Sequence, residues 1–165
     1  VGGPRIFVGL GTNLGDRLLN LAEATRRLGQ RPGLAVVARG PVVETPALLP
    51  PGERFGQPPY LNSALELASS LSPGAVLEAL LAVEAEMGRR RSTRWAPRVI
   101  DLDLLLVGGL RLQVPGLTLP HPGLATRRFV LEPLAALAPD LVHPALGKTL
   151  GALLAAAPGV VRTAR

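Results

Sequence analysis

The sequence has no cysteine. Disulfides and thiolate metal sites are therefore excluded, and nothing in it reports a redox compartment. Aromatics make up only 3% of the chain: Phe7, Phe55, Tyr60, Trp95 and Phe129. The core must be built from leucine, valine and alanine instead. Lysine is nearly absent too, with Lys148 alone, so the positive charge is almost all arginine. No apolar run is long enough for a membrane span, and the opening "VGGPRIFVGLG" has no signal-peptide layout. The cytoplasm is the default expectation.

What is present is a globular composition. The hydrophobic share is 47% over 165 residues, enough for one domain with a real core. We read residues 1–165 as a single domain, with no internal repeat and no linker. The net charge is +6, and Arg89, Arg90, Arg91, Arg94 and Arg98 crowd into ten residues. Arginine in such a cluster suits fixed, bidentate contact with phosphate or carboxylate.

The pattern along the chain predicts a strand over Arg5–Leu10 and a helix to about Leu28, capped by Asn13 or Asp16, with Gly29 at its C-terminal cap. A second strand is predicted over Ala35–Val43, then a proline-rich loop to Pro59, then a strand over Tyr60–Ala68. Ser72-Pro73 opens a second helix that ends at Gly88. A fourth strand follows from Val99, then a short hairpin around "GGLRLQVPGLTL". Helices are predicted over Ala125–Leu137 and Lys148–Ala157. The order β-α-β-β-α-β is that of the ferredoxin-like α+β fold, an antiparallel sheet with helices on one face, here with C-terminal helices added.

Within "RWAPRVIDLDLLLVGG", Asp101 and Asp103 interrupt an otherwise apolar strand. Two residues apart on a strand means one shared face and a separation of about 6.5–7 Å. Leu105 and Val107 would continue that face, and Ile100, Leu102, Leu104 and Leu106 would pack on the other. The plainer alternative is a pair of surface acids neutralised by nearby arginines. However, two like charges at the edge of a core repel unless cations stand between them. Mg²⁺ takes one or two carboxylates with phosphate oxygens, and the neighbouring arginines can clamp those phosphates. The pattern points to Mg²⁺-nucleotide chemistry.

Two familiar phosphate motifs do not apply. "LGKT" resembles the end of a P-loop, but Val142 stands where its first glycine belongs. "GLGTNLG" has one residue too many for the dinucleotide fingerprint, and we read both stretches as turn and cap chemistry. Glu84, on the apolar side of the second helix, calls for a buried partner, Arg89 or Arg91. The arginine-rich loop to Pro97 and the loop from Glu44 to Pro59 are both expected to be loosely held without ligand.

Nearly the whole chain resembles the 6-hydroxymethyl-7,8-dihydropterin pyrophosphokinases of folate biosynthesis. The resemblance is carried by "RWAPRVIDLDLLL", with "GLGTNLGDR", "ETPAL", "PYLNSALEL", "EAEMGRRR" and "LPHPGLATRRFVLEPL" in order. It implies transfer of pyrophosphate from ATP to the pterin hydroxymethyl group, with release of AMP and use of two Mg²⁺ ions. Asp101 and Asp103 match the metal-binding aspartates. Arg89, Arg91 and Arg98, with these acids, match the catalytic set. Arg91, Trp95, Arg98, Thr118, His121 and Arg127 match ATP-binding positions. Thr45, Pro46, Leu48, Tyr60, Asn62 and Phe129 match pterin-binding positions. Where some members carry a tyrosine after the histidine and an arginine near the nucleotide, this chain has Pro122 and Gly116.

The residue chemistry agrees with these matches. A flat heterocycle can be sandwiched between rings, and an asparagine amide offers a donor and an acceptor to a pterin edge. The nearer alternative is another Mg²⁺-nucleotide-dependent transferase on the same fold; a nucleic-acid-binding module is the alternative from another class, since a basic cluster on a ferredoxin-like sheet fits it in outline. Yet the strands lack paired aromatics, and the two aspartates would repel a phosphate backbone. The expected partners are the two small-molecule substrates, with no nucleic acid and no membrane, and the chain is expected to be a monomer.

Overall fold

A computed structural model describes residues 3–47, 50–53, 56–89 and 96–159, and the backbone of 162–163. Leu48, Arg91 and Trp95 lie outside the described residues, as do Phe55, Arg90 and Arg94.

Strand β1 (Arg5–Thr12) runs along the middle of the sheet, between β4 (Tyr60–Ser69) and β5 (Asp101–Val107), antiparallel to both. On its other side β4 pairs with β2 (Leu34–Arg39) and then β3 (Val43–Thr45). With β2 and β3 counted as one strand, β1 to β5 follow the ferredoxin-like order expected. The backbone pair β8 (Arg162–Thr163) extends the sheet beyond β3. A separate hairpin is formed by β6 (Leu112–Val114) and β7 (Leu117–Leu119). Gly116 sits in its turn at φ 81°, where a side chain would be strained.

The predicted second strand is two strands. Gly40-Pro41 divides it, because proline brings no N–H to the ladder. Gly40 instead donates to Ala64 O at 2.8 Å. Its own face is closed to a side chain, since a β-carbon there would lie 2.8 Å from Pro133 O.

Helix α1 (Arg17–Gly29) is capped by Asp16, whose side chain accepts from Leu19 N at 3.0 Å. Helix α2 (Pro73–Glu86) is capped by Ser72. Leu21, Ala24 and Leu28 of the first and Val76, Leu80 and Val83 of the second pack on one face of the sheet, against Ile6, Val8, Leu65 and Leu102. Helices α3 (Arg128–Leu137) and α4 (Leu150–Ala156) belong to the other face. There Leu131, Leu134, Leu150 and Leu153 close over Phe7, Ala64, Leu105 and Leu106. Helices therefore cover both faces, not one. Thr149 caps α4, accepting from Ala152 N at 3.1 Å. This is the cap chemistry read for "LGKT".

A bulge corrects the predicted facing of β5. Val8 pairs with Leu104 and Phe7 with Leu106, so Leu105 is the extra residue. An extra residue shifts the alternation by one beyond it. Leu105 and Leu106 consequently share the α3 face, while Val107 joins the opposite cluster.

Candidate active site

Helix α3 covers only part of its face of the sheet. Beyond it, the strands meet in cross-strand rows. Gly11 of β1 stands opposite Asn62 on one side and Asp101 on the other; Gly9 stands opposite Ala64 and Asp103. Two glycines thus run between an amide on β4 and two carboxylates on β5. A β-carbon at Gly11 would lie 3.1 Å from Asn62 Oδ1 and 3.9 Å from the Asp101 β-carbon. The floor is bare for a reason: side chains there would fill the space above it. Gly9 lies in the strand as expected, and Gly11 is a strand residue too, not part of the turn.

The resulting cavity has a volume of about 310 Å³. Tyr60 and Asn62 of β4, Thr45 and Pro46 at the end of β3, and Phe129 of α3 form its less charged side. Arg98, Asp101, Asp103 and Arg127 form its charged side. Asn62 is buried, and its Nδ2 donates to Thr45 Oγ1 at 2.9 Å. That bond fixes which way the amide faces and leaves its oxygen turned toward Gly11.

Each oxygen of Asp101 has an arginine partner. Its Oδ1 faces Arg89 Nη2 at 2.9 Å and its Oδ2 accepts from Arg98 Nη1 at 2.7 Å. Arg89 also pairs with Glu84, which is buried and accepts from Leu102 N at 3.1 Å. Glu84's predicted partner is thus Arg89. Burial pushes the Glu84 carboxyl above its usual range, against the pull of Leu102 N–H and Arg89. Rather than being loosely held by mutual repulsion, Arg89 spans two acids.

Among the described residues Asp103 has no such partner. It is open to solvent by area, yet most of the volume around its carboxylate is protein. That crowding, and next the charge of Asp101, raise its pKa; His121, Arg127 and Arg89 oppose the rise. A carboxylate raised in pKa by a second carboxylate is a site that favours a cation.

His121 and Arg127 come from the turn before α3, which occupies 121–127 where a helix was predicted from Ala125. His121 Nδ1 accepts from Gly123 N at 3.0 Å, leaving Nε2 as its outward nitrogen. A β-carbon at Gly123 would lie 2.8 Å from Arg127 Cζ and Nε. The Arg127 guanidinium therefore lies directly over this glycine.

Of the described residues singled out from the sequence, the cavity gathers Thr45, Pro46, Tyr60, Asn62, Arg98, Asp101, Asp103, Arg127 and Phe129. Arg89 joins through Asp101, and His121 is close enough for its charge to act on Asp103. Thr118 does not line the cavity; it is half-buried in β7, opposite Gln113. Sequence reasoning missed Gly9, Gly11, Gln57 and Asn13. For the glycines a signal existed, since glycine at alternate positions of an apolar strand marks a face where something must approach closely.

Asn13 is fully buried and is not the helix cap. Its Nδ2 donates to Gln57 Oε1 at 2.9 Å and Pro58 O at 3.2 Å, and its Oδ1 accepts from Arg98 N at 2.8 Å. It joins the two loops on either side of the cavity. The end of the proline-rich loop is thus pinned, contrary to the expectation that this loop is loosely held.

Comparison with known proteins gives the chain its relatives. Residues 7–139 match the family described as 7,8-dihydro-6-hydroxymethylpterin-pyrophosphokinase. A protein of Methylorubrum extorquens named 2-amino-4-hydroxy-6-hydroxymethyldihydropteridine pyrophosphokinase is 44% identical over 138 residues, 84% of this chain and 85% of its own length. The Pseudomonas aeruginosa protein of that name is 41% identical over 154 residues, 93% of this chain and 92% of its own. Among solved structures, a Plasmodium falciparum HPPK-DHPS matches 93% of this chain and 44% of its own, with a TM-score of 0.72 and 15% identity. At that identity the likeness speaks for the fold.

Proposed function

This chain belongs to the 7,8-dihydro-6-hydroxymethylpterin-pyrophosphokinase family, and on that footing we propose that it transfers pyrophosphate from ATP to the hydroxymethyl group of 6-hydroxymethyl-7,8-dihydropterin, releasing AMP. The observation that carries this reading is the pair of cross-strand rows, Asn62–Gly11–Asp101 and Ala64–Gly9–Asp103. They put a polar, ring-lined half and an acid–arginine half on one glycine floor.

In this assignment the pterin lies between Tyr60 and Phe129, with Thr45 and Pro46 beside it and the Asn62 amide at its edge. Leu48 would complete that side. The phosphates of ATP take Arg98, Arg127 and His121, with Arg89 and Arg91 from the arginine-rich segment. Trp95 and Thr118 fall to the rest of the nucleotide. The pterin hydroxyl oxygen attacks the β-phosphorus. A new O–P bond forms, the bond from the β-phosphorus to the bridging oxygen breaks, and AMP leaves with that oxygen. The hydroxyl proton is lost. Such a transfer needs alignment and charge neutralisation more than covalent help. The described arginines supply fixed positive charge without reorganisation.

Asp101 and Asp103 suit Mg²⁺. Among the described residues no group of three or more acidic, histidine or cysteine side chains could hold a metal by itself. Two carboxylates are what Mg²⁺ takes from a protein when substrate phosphates complete its shell. Mg²⁺ bound there, as two ions in this family's pattern, would neutralise charge on the polyphosphate and lower the pKa of the hydroxyl. Each oxygen of Asp101 already accepts one arginine contact, and an ionised carboxylate has about four acceptor sites, so a metal there would share that acid with Arg89 and Arg98.

The test is to incubate the protein with ATP, Mg²⁺ and the hydroxymethyl-dihydropterin and to identify the products. AMP with a pterin diphosphate is the expected outcome. ADP with a pterin monophosphate would make it a simple kinase, and no turnover would refute the reading.

A further inference from the structure

We infer that Arg17, which does not line the cavity, is a positioning residue for the wall that receives the pterin. The inference rests on the assignment of that wall to the pterin.

The wall has a weakness written in its sequence. Residues 57–59 are Gln-Pro-Pro and lead directly into Tyr60. Two successive prolines have no N–H groups, so residues 58 and 59 cannot be held by donating from their own backbone. Pro58 and Pro59 can be gripped by hydrogen bonds only at their carbonyls, and the donors must come from elsewhere. The turn between β1 and α1 and the first residue of α1 provide them. Asn13 Nδ2 takes Gln57 Oε1 and Pro58 O. Arg17 Nη1 takes Pro59 O at 2.7 Å.

The same Arg17 nitrogen donates to Glu44 Oε2 at 2.9 Å. Glu44 lies on β3 beside Thr45, and Thr45 pairs with Tyr60 and accepts from Asn62. One guanidinium nitrogen therefore bridges the last residue before β4 and the strand that carries Thr45 and Pro46. It ties together the two chain segments that meet at the less charged side of the cavity. The bridge is partly shielded, with side-chain exposures of 28% and 36% for Arg17 and Glu44.

Its place in the helix supports a role of this kind. Arg17 is the first residue of α1, and no acid occupies the first turn. A cation there opposes the helix dipole. The position costs α1 stability and gains contacts only outside the helix.

The measurements are dissociation constants for the pterin, taken in the presence of a non-hydrolysable ATP analogue, together with KM for each substrate and Tm. The variants are Arg17→Met, which keeps the stem and removes the donors, Arg17→Lys, which keeps charge and donors, and Asn62→Ala as a reference for the pocket. Arg17→Met is expected to weaken pterin binding about fivefold, with the KM for ATP within about twofold of wild type. Arg17→Lys should recover most of the loss. Unchanged pterin binding in Arg17→Met, with Asn62→Ala weakened, overturns the inference and leaves the pocket assignment standing. Equal losses for both substrates without recovery by lysine also overturn it, since they mark a general structural effect. Unchanged binding in Asn62→Ala overturns the pocket assignment itself, and the inference with it. If Arg17→Met does not fold, Glu44→Gln removes the charge from one end of the bridge; the same pterin-selective loss supports the inference, and its absence overturns it.

Discussion

At Gly123, a hydrogen in place of a side chain is what lets the Arg127 guanidinium lie where it does. Gly123→Ala should displace that charge without removing it. The expected result is a rise of about threefold to tenfold in the KM for ATP, little change in Tm, and no added penalty when Arg127→Ala already removes the guanidinium. Strictly additive penalties would show that the two positions act separately. The carboxylates make a sharper case. Asp101 is balanced by two arginines, whereas Asp103 is raised in pKa by crowding and by its neighbour. Asp101→Asn and Asp103→Asn should each lower kcat on the order of 100-fold or more and weaken Mn²⁺ binding measured by electron paramagnetic resonance with the ATP analogue present. Wild-type turnover at low Mg²⁺ in either variant would remove that residue from the metal site.

Among the elements, the segment between α3 and α4 holds a buried histidine apart from the cavity. His143 Nδ1 accepts from Ala145 N at 3.2 Å and Leu146 N at 3.1 Å. A proton on Nδ1 would face both donors, and burial holds the His143 pKa below its usual 6.5. The unfolded chain takes up this proton as pH falls through 6.5 and the folded chain refuses it, so stability is full above that value and drops below it. The drop is at most about 1.4 kcal/mol per pH unit until the folded value is reached. Melting curves from pH 8 to 5 should show the decline in wild type, and a His143→Gln variant should lack that part of it; parallel profiles would refute the assignment. Elsewhere, misread elements share a cause. The bulge at Leu105 and the break at Gly40-Pro41 both depend on how a strand pairs with its neighbour.

At the scale of the whole molecule, the net charge of +6 is concentrated by the fold as well as by the sequence. Arg89, Arg98 and Arg127 converge on the acid pair from three separate segments. An anionic nucleotide is steered by such a field and a neutral pterin is not. Raising salt from about 50 mM to about 500 mM shortens the reach of these charges to a few ångströms. The KM for ATP should therefore climb several-fold over that range while the KM for the pterin moves little. Equal responses would place the steering charge elsewhere.

The sequence alone determined the carboxylate pair and its common face, the arginine cluster beside it, the helix start at Ser72 and the choice of Asn13 or Asp16 for the other, and the scarcity of aromatics that makes Tyr60 and Phe129 conspicuous. All of these follow from local spacing, because strand alternation and helix capping act over two to four residues. Tertiary structure decided what faces what. The glycine floor becomes legible only when β1 lies between β4 and β5, since Gly11 owes its meaning to Asn62 on one side and Asp101 on the other. Helices on both faces, Asn13 as a tie instead of a cap, and Arg17 reaching Glu44 and Pro59 depend likewise on partners 27 to 85 residues away. Hydrogen bonds across such distances in the chain are chosen by the packing of the whole sheet, and no periodicity along one strand encodes them.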